Sequence, residues 1–401
     1  MVTYGLSFNG GRLLFQLFLG LTAHRAAAYT IAPQDLVRAD RAYATATTSE
    51  FTAPHWVFLP VISRGPVVPT FGYGVQVNGA GTASANIGHI KTLGFGWTKF
   101  QIPWKDFEPN PGDFRWDGLD PVMNAYSAGG VKILLSVVKA PDWARPPNDN
   151  RSVDGPPADY ATLANFLREL CLRYKGQVQA IEVWNEQNLF YEGGGKAMPP
   201  SNYVAMLSVA YQAIKSVDPS IVVVSGAPTP TGANDGTMFI DDVVYLQQMY
   251  AAGLKGKCDA IGAHASGYNN PPDARLGYTD PAEPTYKSHR SFFFRETLEA
   301  YRNVMVSNGD ADRKVWATEF GWASATNPPP GYEYAGNNTL NEQAQYTVMA
   351  YQIAKAWGWV GAMILWNPDY GVTNPDTELP YWSLLRPDPV PAYTALAAMP
   401  K

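Results

Sequence analysis

From Tyr73 onward the chain keeps one rhythm, in which a short apolar or β-branched run gives way to a longer stretch with helical spacing. The runs are Gly74–Val77, Trp97–Ile102, Val131–Val138, Val178–Trp184, Ile221–Ser225, Ala260–His264, Val315–Glu319 and Ala362–Trp366. Helix-like segments lie between them at Ile87–Leu93, Leu119–Ser127, Ala161–Tyr174, Tyr203–Ser216, Phe239–Ala252, Arg295–Ser307 and Asn341–Trp357, and a last one fits Pro391–Ala398. Short apolar runs bounded by turn residues read as buried strands, and apolar residues three and four apart read as one face of a helix. Strands that alternate with helices imply a parallel sheet, and eight such units imply an α/β fold closed into a (β/α)8 TIM barrel. An open doubly wound sheet is the rival. It would show a glycine-rich phosphate turn after its first strand, and N-G-A-G-T-A at 78–83 lacks the full spacing.

Composition fits a large core. Of 401 residues, 46% are apolar and 16% charged, which argues against global disorder. The net charge is −5 with no basic run, so nucleic acid is not expected as a partner. Cys171 and Cys258 form no CxxC or Cys/His cluster, so neither a metal site nor a cofactor is expected. Spacing leaves a disulfide between these two cysteines open. The first 70 residues stand apart. Arg12 precedes L-L-F-Q-L-F-L-G-L-T-A and then H-R-A-A-A-Y. A basic residue, an apolar run and small residues make residues 1–28 resemble a secretory signal peptide. The run is too short to span a bilayer comfortably, so export without stable membrane insertion is expected. Residues 29–70 read as a linker or irregular segment, and 71–401 as the barrel domain. Oligomeric state is not readable from these features.

In such barrels chemistry sits at the carboxyl ends of the strands. E-V-W-N-E-Q-N at 182–188 places Glu186 just past the fourth strand, and W-A-T-E-F-G-W places Glu319 at the end of the seventh. An isolated buried carboxylate is costly. Two at one barrel mouth suit cleavage of a glycosidic bond, where one group protonates the leaving oxygen and the other captures the oxocarbenium-like sugar. Burial is expected to raise the pKa of Glu186 so that it can donate a proton near neutrality.

These residues carry a resemblance. W-N-E with Asn188, E-F-G on the seventh strand, W-K-D-F-E-P-N-P-G-D-F-R-W-D at 104–117 and I-L-W-N at 364–367 are similar to the clan A glycoside hydrolases, the (β/α)8 group that includes many cellulases, β-xylosidases and β-mannanases. The likeness covers about residues 73–398. It implies that Glu186 is the acid/base and Glu319 the nucleophile of a double displacement. Anomeric configuration would be retained, with the carboxyls about 5 Å apart. It implies that Asn185 bonds the sugar 2-hydroxyl, that Trp366 floors the cleaved sugar's subsite with a cis bond before Asn367, and that His264 and Tyr268 orient the nucleophile and the sugar. Two departures stand out. Gln187 follows the acid/base where proline is common, and Lys99 and Gln101 occupy the second strand, where the clan often has arginine. Glu182 shares strand parity with Glu186, one layer lower, so a Glu182–Lys99 pair inside the barrel would satisfy both.

With 12 Trp and 23 Tyr, the chain has rings to spare for flat sugar faces. Trp104, Trp143 and Trp322 are the expected platforms, with Phe190, Tyr191, Tyr370 and Trp382 as further candidates. The expected function is a secreted retaining glycosidase acting on an oligo- or polysaccharide. The alternative is a non-catalytic carbohydrate-binding barrel, which would ordinarily have lost one of the two carboxylates. A metal-dependent chemistry on the same fold would want a His/Asp/Glu cluster at strand ends, and only His264 of five His is so placed.

Overall fold

A computed structural model of the chain describes residues 71–78, 83–279 and 285–401. The signal-like segment at 1–28 and the linker at 29–70 lie outside the described residues. The eight expected strands are present. They are β1 (Gly72–Gln76), β2 (Trp97–Pro103), β3 (Lys132–Val138), β4 (Ala180–Val183), β5 (Val222–Ser225), β6 (Ala260–His264), β7 (Lys314–Phe320) and β8 (Val360–Leu365). Each pairs in parallel with its sequence neighbours, and β8 returns to β1 to close the barrel. The outer helices are α1 (Ala83–Thr92), α2 (Asp120–Ala128), α3 (Tyr160–Arg173), α4 (Pro200–Val217), α5 (Asp242–Ala251), α6 (Phe294–Ser307), α7 (Leu340–Trp357) and α8 (Pro391–Ala398). No helix among the described residues is long and apolar enough to cross a membrane.

Local chemistry sets the helix ends. Thr339 and Glu342 form a reciprocal capping box at the start of α7, and Gly358 closes it at φ 66°, where glycine avoids a side-chain clash. Helix α5 starts three residues later than the apolar pattern suggests. Asp241 caps it by accepting from the Val243 and Val244 amides, and Phe239 instead pairs with Leu189 in an isolated antiparallel bridge. Capping outranks periodicity there, because an uncapped helix end leaves amides without partners.

The barrel interior is layered. Trp97 and Trp316 meet edge to face, ring centroids 5.2 Å apart, among Leu134, Ala180, Val222, Ala260, Ala362 and Ile364. Two indoles fit in so narrow a space only because β1 offers glycine. A Cβ on Gly74 would lie 2.5 Å from Ile364 and 2.8 Å from Trp97. Truncating a buried tryptophan of this kind costs about 3–5 kcal/mol through the cavity it leaves. Above this apolar floor lies a charged layer. Lys99 of β2 and Glu182 of β4, both with wholly buried side chains, form an ion pair at 2.9 Å, as their strand parity predicts. Cys171 and Cys258 are buried and free.

Candidate active site

Strand β4 ends in a backbone that turns sharply. Trp184 has φ 76° and Glu186 φ 42°, both left-handed and sterically disfavoured for residues with a Cβ. Lys139 after β3 (φ 59°) and Tyr268 after β6 (φ 55°) complete the set of such non-glycine residues among those described. All four sit past strand ends on one side of the barrel, and strain of this kind marks sites that the surroundings over-determine. The surroundings are visible. Gln187 donates to the Gly226 carbonyl at 2.8 Å, Asn188 donates to the carbonyls of Thr229 and Ile240, and the Glu186 amide donates to Ala227 at 3.0 Å. Gln187, standing where proline is common, therefore pins the β4 loop with a hydrogen bond.

Strand β7 presents Glu319 by a different device. Ala263 pairs with Ala317 but His264 pairs with Glu319, so Thr318 is an extra residue. Consecutive residues of a regular strand face opposite sides; a bulge turns both inward. Lys99 Nζ thus reaches Glu319 Oε1 at 3.1 Å and the Thr318 carbonyl at 3.2 Å, while the Thr318 hydroxyl donates to Glu182 at 2.6 Å. Lys99 supplies a charge beside Glu319 where the resembling clan often has arginine. Burial pulls its ammonium down, yet the charges of Glu182 and Glu319 outweigh that and raise its pKa. The lysine is held charged.

His264 lies between the two carboxylates and hydrogen-bonds one of them. Its Nδ1 lies 2.8 Å from Glu186 Oε1, and its Nε2 lies 4.0 Å from Glu319 Oε1. The Glu186 and Glu319 side chains are each 19% exposed. Tyr191 donates to the other Glu186 oxygen at 3.0 Å. The expectation that burial raises the pKa of Glu186 is overturned here. Burial does push it up, but the hydrogen bond and charge of His264 outweigh burial and hold it below its ordinary value. Burial in turn pulls His264 down, and the charge of Glu319 with the bond to Glu186 raises it.

The predicted rings divide. Trp366 is half-buried, packs edge to face on Tyr370 and Trp382 (5.7 and 5.1 Å), and precedes Asn367 through a cis peptide bond. Tyr268 stacks on Tyr286 at 5.6 Å. Burial and the nearby Glu186 charge push its hydroxyl up to about 12. Trp143 is half-buried with its indole N–H on the Glu108 carbonyl. Trp104 and Trp322 are corrections. Their exposures are 0% and 1%, Trp104 donates to Glu108 and stacks on Phe166, and Trp322 donates to Asn270 beneath Phe294 and Phe320. Both are core rings that brace the mouth from behind, with no face left for a ligand. Trp382, with Tyr332 and Tyr334 against it, joins Trp366 in an aromatic wall over β6 to β8.

Glu192 went unnoticed in the sequence. It follows Tyr191 in F-Y-E-G-G-G, six residues past Glu186. Asn185, also buried, donates to its Oε1 at a long 3.5 Å. Asn185 Oδ1 and Glu192 Oε2 have no hydrogen-bond partner among the described residues. Burial pushes the Glu192 carboxyl up to about 8, against the charge of Lys139. At neutral pH it is the neutral acid and can donate a hydrogen bond. An unfolded chain would ionise this group near pH 4.3. Between that pH and about 8 the native state binds the extra proton, so stability falls as pH rises through the window. Glu192→Gln copies the neutral acid and removes the titration. Its Tm is expected to match the wild type near pH 4.5 and to exceed it increasingly toward pH 8. A Tm gap independent of pH would contradict the neutral carboxyl. Beside it, Lys139 and Lys105 each bond Asp154 at 3.0 Å, which makes the β3–β4 side of the mouth a polar wall opposite the aromatic one. Among the described residues, no group of three or more His, Cys, Asp or Glu side chains is arranged to hold a metal ion.

No protein-family model matches the chain. Solved structures of similar fold do. A family 39 glycoside hydrolase from Bacteroides cellulosilyticus WH2 superposes with TM-score 0.62 over 82% of this chain at 23% identity, and the chain spans 63% of that protein's length. A psychrophilic family 10 endo-β-1,4-xylanase superposes with TM-score 0.53 at 16% identity, covering 82% of this chain and 97% of its own. An exo-β-1,4-mannosidase from Opitutaceae bacterium strain TAV5 gives TM-score 0.52 at 16% identity over 83% of this chain and 59% of its own. At these identities the likeness is one of fold.

Proposed function

We propose that the chain is a secreted, retaining glycoside hydrolase acting on a β-linked oligo- or polysaccharide. One observation carries the reading: two equally exposed carboxylates, Glu186 and Glu319, stand at the carboxyl ends of β4 and β7 at one barrel mouth, with one imidazole 2.8 Å from the first and 4.0 Å from the second. In the first step Glu319 attacks the anomeric carbon, the bond to the leaving oxygen breaks, and that oxygen takes a proton from Glu186. The proton comes from the His264–Glu186 pair, across the 2.8 Å hydrogen bond. In the second step water attacks the same carbon, its proton passes to Glu186, and Glu319 leaves as the carboxylate.

The remaining roles follow from position. Lys99 orients Glu319 and balances its charge. Asn185, next to Glu186, contacts the sugar 2-hydroxyl, and Trp366 floors the cleaved sugar. Tyr268 and Trp143 contribute further surface. Export rests on the signal-like segment at 1–28. A β-linked substrate is favoured because the xylanase and the mannosidase of similar fold are both named for β-1,4 bonds. Those two names differ in sugar and in endo or exo action, so the loops of this chain must decide both.

Hydrolysis of a panel of aryl β-glycosides and β-linked polysaccharides tests the reading. Cleavage of at least one is expected. Binding of a polysaccharide with no cleavage of any panel member would favour the carbohydrate-binding barrel instead.

A further inference from the structure

We propose that Glu182, which lies below the reacting atoms and touches no substrate, is a positioning residue that sets how firmly Lys99 holds the Glu319 carboxylate. The inference rests on the reading of Glu319 as nucleophile. A lysine ammonium has three protons to donate, and Lys99 Nζ has three oxygen neighbours: Glu182 Oε2 at 2.9 Å, Glu319 Oε1 at 3.1 Å and the Thr318 carbonyl at 3.2 Å. It hydrogen-bonds the Glu319 carboxylate and the Thr318 carbonyl and holds Glu182 as an ion pair. The Lys99 and Glu182 side chains are both 0% exposed, so water screens neither, and charges felt across such distances are strong. One cation therefore serves two carboxylates. Glu182 is itself fixed by the hydroxyl of Thr318, the residue before Glu319, so the shared cation and the nucleophile belong to one closed network.

Sharing has a kinetic consequence. A nucleophile with a cation to itself would be a poorer attacker and a better leaving group. In the first step the bond from Glu319 oxygen to the anomeric carbon forms, the bond to the aglycone breaks, and Glu319 loses charge. In the second step that ester bond breaks, water adds, and Glu319 regains charge. Glu182→Gln keeps the shape, removes the competing charge and gives Lys99 wholly to Glu319. It should slow the first step and leave the second unchanged or faster. A merely structural loss would lower both together.

The test uses two aryl glycosides of the sugar that the wild type cleaves. With a poor leaving group, kcat/KM reports the first step; with 2,4-dinitrophenol as leaving group, kcat and the pre-steady-state burst report the second. For Glu182→Gln the first constant is expected to fall about tenfold or more, the second to hold or rise, and the burst to shrink. Equal falls in both constants, or no change in either, would overturn the proposal. Glu182→Asp keeps the charge, so the ratio of the two constants should stay within about twofold of wild type. A ratio displaced toward slow first step in that variant would overturn the proposal even if Glu182→Gln does not fold. A wild type inert on every glycoside would instead remove the glycosidase reading, and this proposal with it.

Discussion

Glu319→Gly is expected to lose hydrolysis of aryl β-glycosides by about four orders of magnitude or more, since removing a covalent nucleophile eliminates the intermediate itself. Azide is expected to restore turnover of activated substrates, giving a glycosyl azide of inverted configuration. The geometry favours rescue. Lys99 keeps two of its three oxygen neighbours, Glu182 and the Thr318 carbonyl, when the Glu319 side chain is deleted. The buried cation is thus not stripped of its counter-charge, which would otherwise cost about 3–5 kcal/mol, and the fold should survive. The space left open faces a lysine, so a small anion has both room and attraction. Chromatography and NMR of the products check the result. An unchanged rate, or an azide product of retained configuration, would move the nucleophile elsewhere.

Glu186→Gln should act differently on different leaving groups. Loss of a general acid costs about 10²–10⁴ in rate where the leaving oxygen needs a proton. A dinitrophenolate needs none, so the first step on that substrate should be affected far less. The pH profile adds a second signature. The proton for the leaving group belongs to the His264–Glu186 pair, in which His264 is raised and Glu186 lowered. Activity is present while the pair keeps that proton and is lost as pH rises through its titration. The basic limb of kcat/KM is therefore expected above the ordinary histidine value of about 6.5. It should vanish in Glu186→Gln on substrates that need no acid. Equal losses on good and poor leaving groups would remove Glu186 from the acid role.

The barrel was legible because its signal is repeated eight times, and a slip of two or three residues at one end, as at α5, leaves the topology intact. The carboxylates were legible because a strand end in this fold points to a known face. Parity alone paired Lys99 with Glu182. What the sequence hid was contact between distant segments. Trp104 and Trp322 follow strands at the mouth, as platforms would, yet Phe166 of α3 covers one and Phe294 of α6 helps cover the other. The sign of the Glu186 shift depends on His264, 78 residues away. No pattern announces the bulge at Thr318, because it changes register and not composition. Glu192 left one trace: a carboxylate before three glycines, a loop tight enough to fold back beneath Asn185.

Double displacement through Glu319 fixes the anomer that leaves the site. Proton NMR of the first sugar released from a cleaved β-glycoside, recorded before mutarotation, tests it most directly. The β-anomer is expected to appear first, with the α-anomer growing in later. Release of the α-anomer first would mean a single displacement by water, with Glu319 as a base and not a nucleophile.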